Sequence, residues 1–237
     1  MPASEAGAPA ELLAWDTAFW GFPVGRVVGS LDAPAVDAWA AANAVACVYL
    51  RLDDEASAVR GAEDAGFHLV EARLRMTYER ANAVPPRREF AGVVRESRDR
   101  DDEALRELTR RMRYASRFAY DPRFAARAGD YFEAWIEHAD VALVAENEGR
   151  VLGYITCRIP DEGVHASFGI VAVDESARER GVGTALLEAG ADWLLSRGMA
   201  SVSVDVAARN IATLRYVERF GFLASRFELW FHKWYEP

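Results

Sequence analysis

The chain has 237 residues, enough to bury a full core and long for one ordinary domain, so two domains are expected. Its apolar fraction of 51% and the lack of any run of eighteen apolar residues argue against both a disordered chain and a membrane-spanning one. A net charge of −9 argues against nucleic acid as the general partner, and two cysteines with four scattered histidines make neither a disulfide framework nor a metal pattern. The opening MPASEAGAPAELL lacks the basic start and apolar core of a signal peptide, so a cytoplasmic protein is the expectation.

Taken in order, residues 1–10 are small, acidic and proline-bearing, and read as a loose end. An aromatic-rich segment, Leu12 to Val28, leads into a strand. Asp32 to Val45 is alanine-rich, with Asp32 placed to cap a helix and proline in its first turn. Ala46–Leu52 reads as a strand, Glu55–Ala65 as a helix ending at Gly66, and His68–Glu79 as a long strand. This is a small α/β unit. Val84-Pro85-Pro86-Arg87-Arg88 is the best boundary, because two prolines continue neither a helix nor a strand ladder. The expected domains are therefore 1–84 and 85–237.

After the boundary, Gly92–Glu96 starts a strand and Asp102–Arg113 a helix; the loop YASRFAYDPRF (114–124) follows, and helix resumes over Gly129–His138. Val141–Glu146 and Val151–Ile159 form a hairpin about Glu148-Gly149, and Val164–Val173 is a strand. Past a helix that stops near Gly198 come the strand Ser201–Val206, the helix Asn210–Phe220 and aromatic strand over Phe222–Phe231. Seven arginines lie between Arg106 and Arg127 against Glu107 and Asp121. Such a basic patch suits an anionic small substrate, although at least half of these arginines are expected to be a solvated helix face paired with acids.

The most informative stretch is Ile170–Leu187, IVAVDESARERGVGTALL, which reads as strand, glycine-rich loop and helix. Glycines let the backbone turn sharply and leave no side chain between its N–H groups and a ligand. Those N–H groups open a helix, where orphan donors and the dipole favour phosphate, and two nearby arginines add charge-assisted donors. A pyrophosphate site follows. The loop is not the nucleoside-triphosphatase G-x-x-x-x-G-K-[ST], and only Gly181-Val182-Gly183 of a Rossmann fingerprint is present.

Arg178-x-x-Gly181-x-Gly183 resembles the R-x-x-G-x-G acyl-coenzyme A loop of the GNAT N-acetyltransferase superfamily. The element order from Gly92 onward resembles that family too, as does Asn210 opening the last helix before Phe220-Gly221-Phe222. Ala14–Gly21, Gly66–Glu71, Ser116-Arg117-Phe118, Trp135-Ile136-Glu137 and Phe168–Ala172 resemble, more closely, the two-domain dTDP-fucosamine acetyltransferases of that superfamily. The resemblance implies an α/β fold with a mixed sheet: a C-terminal GNAT domain with splayed central strands, preceded by a small α/β domain. It also implies direct transfer of acetyl from acetyl-CoA to the 4-amino group of a sugar nucleotide, with no metal.

In that scheme, backbone N–H groups at Val171 and Val173 bind pantetheine and polarise the thioester carbonyl. Arg178, Arg180, Gly181, Val182, Gly183 and Thr184 hold the pyrophosphate, and Asn210 touches the cofactor arm or simply caps its helix. The family's general acid is a tyrosine seven residues after the asparagine; here that position is Val217, and Tyr216 is adjacent, about 100° round the helix. Tyr216 is the candidate acid, with a core aromatic as the plainer reading. No base is identifiable: Asp161, Glu162, His165 and Asp205 read as turn or surface residues, and Cys157 as packing.

Loop 114–124 falls at the family's acceptor-binding segment, so Arg117, Tyr120 and Arg123 are candidates for a nucleotide diphosphate and Asp121 for a hydroxyl or amine. The aromatic end, Leu229–Tyr235, offers a pocket wall, a core strand or a homodimer surface. Two functions remain open: an N-acyltransferase for an amino sugar or another small amine, and a non-catalytic acyl-CoA-binding module.

Overall fold

The computed structural model describes residues 7–53, 55–78, 89–112 and 116–235. In chain order the elements are β1 (Ala10–Leu12), α1 (Ala14–Trp20), β2 (Val24–Val27), α2 (Ala33–Ala42), β3 (Cys47–Leu52), α3 (Ala56–Asp64), β4 (His68–Tyr78) and β5 (Val93–Glu96). They continue with α4 (Asp102–Arg110), α5 (Arg117–Tyr120), α6 (Ala128–Trp135), β6 (Val141–Asn147), β7 (Arg150–Arg158) and β8 (His165–Val173). The last are α7 (Val182–Leu195), β9 (Ser201–Ala207), α8 (Ile211–Arg219) and β10 (Phe222–Trp234).

These elements form two compact units, one of residues 1–73 with 227–237 and one of residues 74–226. The division falls inside β4 and inside β10. The expected boundary at Val84-Pro85 lies outside the described residues. Sequence reading also assigned the whole C-terminal end to the second domain. The last part of β10 instead belongs to the first unit, because Leu229–Trp234 forms an antiparallel ladder with Leu52–Cys47.

In the first unit β1, β2, β3 and β10 lie side by side, with β2 and β3 parallel. Their apolar face packs on α2 and α3 through Val36, Ala40, Val48, Leu50, Ala62 and Phe231. α2 starts where Asp32 Oδ1 accepts the Ala35 N–H at 3.2 Å, as its sequence led us to expect. The aromatic segment before it folds as α1 and β2, and α1 stops at Gly21, whose φ of +82° suits only glycine well. The C-terminal aromatics are core strand, with Phe231 fully buried.

The second unit carries the strand order β4-β9-β8-β7-β6-β5, in which β8 and β9 are parallel and β5 to β8 antiparallel. One face packs on α7 and α8 through Ile155, Phe168, Leu186, Leu187, Val204 and Val217. The other packs on α4 and α6 through Leu105, Leu108, Val144, Tyr154, Ile170 and Ala172. From β5 to β10 the described strands and longer helices follow the order expected from the sequence; short 3₁₀ segments and α5, a single turn at Arg117–Tyr120 capped by Ser116, are added.

Candidate active site

The site is built on β8. Its ladder with β7 pairs Arg158 with Ser167 and Cys157 with Phe168, then resumes at Ile155 with Val171, so Gly169 and Ile170 oppose Thr156 alone. This is a β-bulge, which re-aims the side chains that follow it. Before it Ala166 and Phe168 face α7; after it Ile170 and Ala172 face α4. Thr156 Oγ1 fills the bulge and accepts the Ile170 N–H at 2.7 Å. A Cβ on residue 169 would lie 2.5 Å from that oxygen, so the position requires glycine.

Beyond the bulge β8 parts from β9. Their parallel register runs from His165 and Ser201 to Phe168 and Val204 and ends there, although β8 continues to Val173 and β9 to Ala207. On its β7 side, Asp174 donates its N–H to Leu152 C=O at 2.8 Å and Ile170 donates to Thr156. Strand N–H groups alternate in direction, so those of Val171 and Val173 point the opposite way, into the gap that β9 leaves. Two amide donors on one edge of β8 therefore face away from β7, past the end of the β9 ladder.

At the end of β8 the chain turns through a short 3₁₀ segment, Glu175–Ala177, capped by Asp174, and then through Glu179 and Gly181, both left-handed at φ +61° and +80°. Gly181 is the N-cap of α7 and makes no side-chain cap over the first-turn N–H groups of Val182, Gly183 and Thr184. Arg178 and Arg180 are exposed on the loop. Arg178 pairs weakly with Glu175 at 3.4 Å, and Arg180 makes no ion pair with a described residue. Thr184 also lines a hollow of about 300 Å³ with Phe90, Gly92 and Glu188.

α8 borders the same loop. Asn210 caps it, its Oδ1 accepting the Thr213 N–H at 3.2 Å, so the capping role read from the sequence is present. Val217 is buried in the core. Tyr216 points at the first turn of α7: a Cβ on Gly183 would lie 2.6 Å from its hydroxyl oxygen. That oxygen is buried and has no hydrogen-bond partner among the described residues, and burial raises the phenol above its ordinary pKa, with Glu188 adding to the rise.

The model of the acetyltransferase (GNAT) family matches residues 103–222. The chain belongs to that family. Among curated relatives, a mycothiol acetyltransferase of Clavibacter sepedonicus is 34% identical over 90 residues, 38% of this chain and 29% of the relative. One of Renibacterium salmoninarum is 26% identical over 180 residues, 70% of this chain and 52% of the relative. The chain thus spans between about a third and a half of the curated relatives it matches. A GCN5-related N-acetyltransferase of Kribbella flavida has the same fold, with a TM-score of 0.66 at 12% identity over 95% of this chain and 87% of that one. So has a tandem GNAT protein from the clavulanic acid pathway, with a TM-score of 0.63 at 16% identity over 92% and 77%.

In the second unit, the described loop residues 116–124 are pinned by aromatics. Phe118 and Phe124 are buried edge to face at 5.4 Å, with Tyr131 against Phe118 at 4.2 Å. Asp121 is buried and its Oδ1 accepts the Arg123 N–H at 3.0 Å, which shapes the turn. Tyr120 stays exposed, with the Arg209 guanidinium 3.6 Å above its ring. Arg209 precedes the α8 cap, at the splayed end of β9. Sequence reasoning missed it, for no local motif marks an arginine whose partner lies 89 positions away.

Most of the expected basic patch is an ion-paired helix face. Arg106 and Arg110 share Glu133, Arg111 bonds Glu107 and Asp174, and Arg127 lies 3.9 Å from Asp130. Arg113 lies outside the described residues. Glu107 of α4 borders a hollow of about 660 Å³ beside Asp174, whose charged lining is Arg100, Arg111 and Arg150 against Asp101, Glu107, Glu146 and Asp174.

Of the base candidates named from the sequence, Asp205, just past the end of the β8–β9 ladder, is held by Arg75 at 2.9 and 3.0 Å. His165 bonds Ser201 at the far end of β8, and Asp161 and Glu162 lie in the turn before it. Cys157 is fully buried, and burial pushes its thiol up to about 12, so it carries no acyl group at neutral pH. Among the described residues no three His, Cys, Asp or Glu side chains gather as metal ligands would, and no helix is long and apolar enough to cross a membrane.

Proposed function

We propose that the protein is an acetyl-CoA-dependent N-acetyltransferase that acts on the amine of a small acceptor by direct transfer. The observation that carries this reading is the end of the β8–β9 ladder at Phe168 and Val204, with the Val171 and Val173 N–H groups turned into the gap. A thioester laid along β8 meets these donors, its diphosphate reaching the N–H groups of Val182, Gly183 and Thr184 and the guanidinium groups of Arg178 and Arg180. Asn210 borders the cofactor arm.

The neutral amine attacks the thioester carbonyl, and fixed amides stabilise the oxyanion that forms. Holding both reactants in one cleft removes the entropy of encounter. The C–S bond then breaks, the nitrogen loses its proton to solvent and the thiolate takes one from water, because Val217 offers none.

For the acceptor we favour an amino-sugar nucleotide, supported by the sequence likeness to dTDP-fucosamine acetyltransferases and by Arg117, Tyr120 and Arg123 on the loop beside Arg209. Calorimetry with CoA and acetyl-CoA tests the donor site; absence of binding ends the proposal. Thiol release against amino-sugar nucleotides, free amino sugars, mycothiol-type amines and polyamines tests the acceptor. Arg117→Ala is expected to weaken a sugar-nucleotide acceptor while sparing CoA, and unchanged acceptor affinity refutes the placement. The buried Val217 favours a second reading, an acyl-CoA-binding module without turnover. Tight CoA binding with no turnover on the whole panel, unimproved by Val217→Tyr, would establish it.

A further inference from the structure

The phenol of Tyr216 and the missing side chain of Gly183 occupy one space. A Cβ at 183 would meet the hydroxyl oxygen at 2.6 Å, Cζ at 3.1 Å and Cε2 at 3.4 Å. The hydroxyl is sealed from solvent and has no acceptor among the described residues. A buried hydroxyl that bonds nothing destabilises the protein, and this one is directed at Gly183 in the first turn of α7. What the ring does make is contact, and the contact is with the residue whose N–H opens α7.

We propose that Tyr216 is a positioning residue for the donor's diphosphate: it braces the first turn of α7 through Gly183 and holds the turn's N–H groups in direction, and it is not the proton donor to the thiolate. This rests on the reading that the loop binds acetyl-CoA. It assigns α8 a role at the diphosphate end of the donor, while Val217 beside it only fills the core. It also accounts for glycine at 183 by the ring that lies against it, in addition to the approach of a ligand from outside.

The geometry sets a rescue experiment. Gly183→Ala forces a methyl against the hydroxyl and tilts the turn; Tyr216→Phe deletes the obstructing oxygen and leaves Cζ at 3.1 Å as the nearest atom, a distance a small shift absorbs. Calorimetry with CoA on the full chain is expected to show about a tenfold or greater loss in Gly183→Ala, a change within about threefold in Tyr216→Phe, and recovery of most of the loss in the double variant. Melting temperatures should follow the same pattern. Overpacking without recovery in the double variant would overturn the brace. So would a loss of tenfold or more in Tyr216→Phe alone, which would make the hydroxyl a ligand contact. If turnover is found, an unchanged alkaline limb in Tyr216→Phe is expected; its disappearance would return the proton-donor role to the tyrosine. Should the parent protein bind no CoA, the functional reading fails, while the melting-temperature cycle still decides whether the two residues are coupled.

Discussion

Replacing Gly169 by alanine tests the device that opens the cleft. The added Cβ would stand 2.5 Å from Thr156 Oγ1, more than half an ångström inside ordinary contact, in a strand pair buried on both faces. Either Thr156 rotates away or the strands separate. Rotation strands the Ile170 N–H, now bonded at 2.7 Å, and an unmet buried donor costs about 1–3 kcal/mol. Separation is overpacking, also about 1–3 kcal/mol. By either route the loss is about 2 kcal/mol, or roughly 4–8 °C in melting temperature for a chain of this size. A shifted bulge also turns the Val171 and Val173 N–H groups out of the gap, so CoA affinity should fall about tenfold or more. Scanning calorimetry and CoA titration measure both effects. Thr156→Ala removes the obstructing oxygen, leaving Cβ 3.7 Å away, so the double variant should lose less than the sum of the singles. A Gly169→Ala protein with unchanged melting temperature and unchanged CoA affinity would refute this account of the bulge.

Three further outcomes follow from the same structure. Asp101, Glu133 and Asp174 have carboxyl pKa values held below the ordinary range, the first two chiefly by hydrogen bonds from Arg95 and Arg110, the third by that of Ser176. The unfolded chain therefore binds their protons first, and their stabilisation is complete above about pH 4 and lost as pH falls through the lower native values. Urea titrations from pH 7 to pH 3 should show it, with a shallower decline in Asp101→Asn; an identical slope would remove Asp101 from the explanation. Asp205→Asn breaks a partly exposed ion pair with Arg75, so it should lower stability by less than about 1 kcal/mol and leave turnover within about twofold, whereas loss of the basic limb of the pH profile would make Asp205 the general base. Iodoacetamide at pH 8 should leave Cys47 and Cys157 unmodified in the native protein and label both after denaturation, read by mass spectrometry; native labelling of Cys157 would contradict its burial.

The parts of the site legible in the sequence are those whose chemistry is local. Gly181 and Gly183, between a β-branched run and an amphipathic stretch, announce strand, loop and helix without any long-range knowledge, and Asn210 announces a cap. The parting of β8 from β9 is not local: it depends on Gly169 meeting Thr156, thirteen residues earlier on a neighbouring strand, and reading Gly169 alone shows only an absent side chain. The burial of Asp121 was not legible, because Phe118 and Phe124, which bury that turn, are aromatics of no fixed spacing. The arginines of α4 were legible as a solvated face because glutamates recur at helical intervals around them. The division of the chain was obscured in the same way: a proline pair is a conspicuous local stop, whereas the pairing of Leu229–Trp234 with Leu52–Cys47 leaves no mark near either segment.

That last pairing bears on how the protein is made. Residues 10–73 leave the ribosome before the second unit, yet the strand that lies against β3 is synthesised some 150 residues later. Until then Cys47-Val48-Tyr49-Leu50, every one of them buried in the finished fold, presents an open apolar edge. The first unit, begun before the second, is thus completed after it, and its β3 edge is the place where a nascent or truncated chain should recruit chaperones or aggregate.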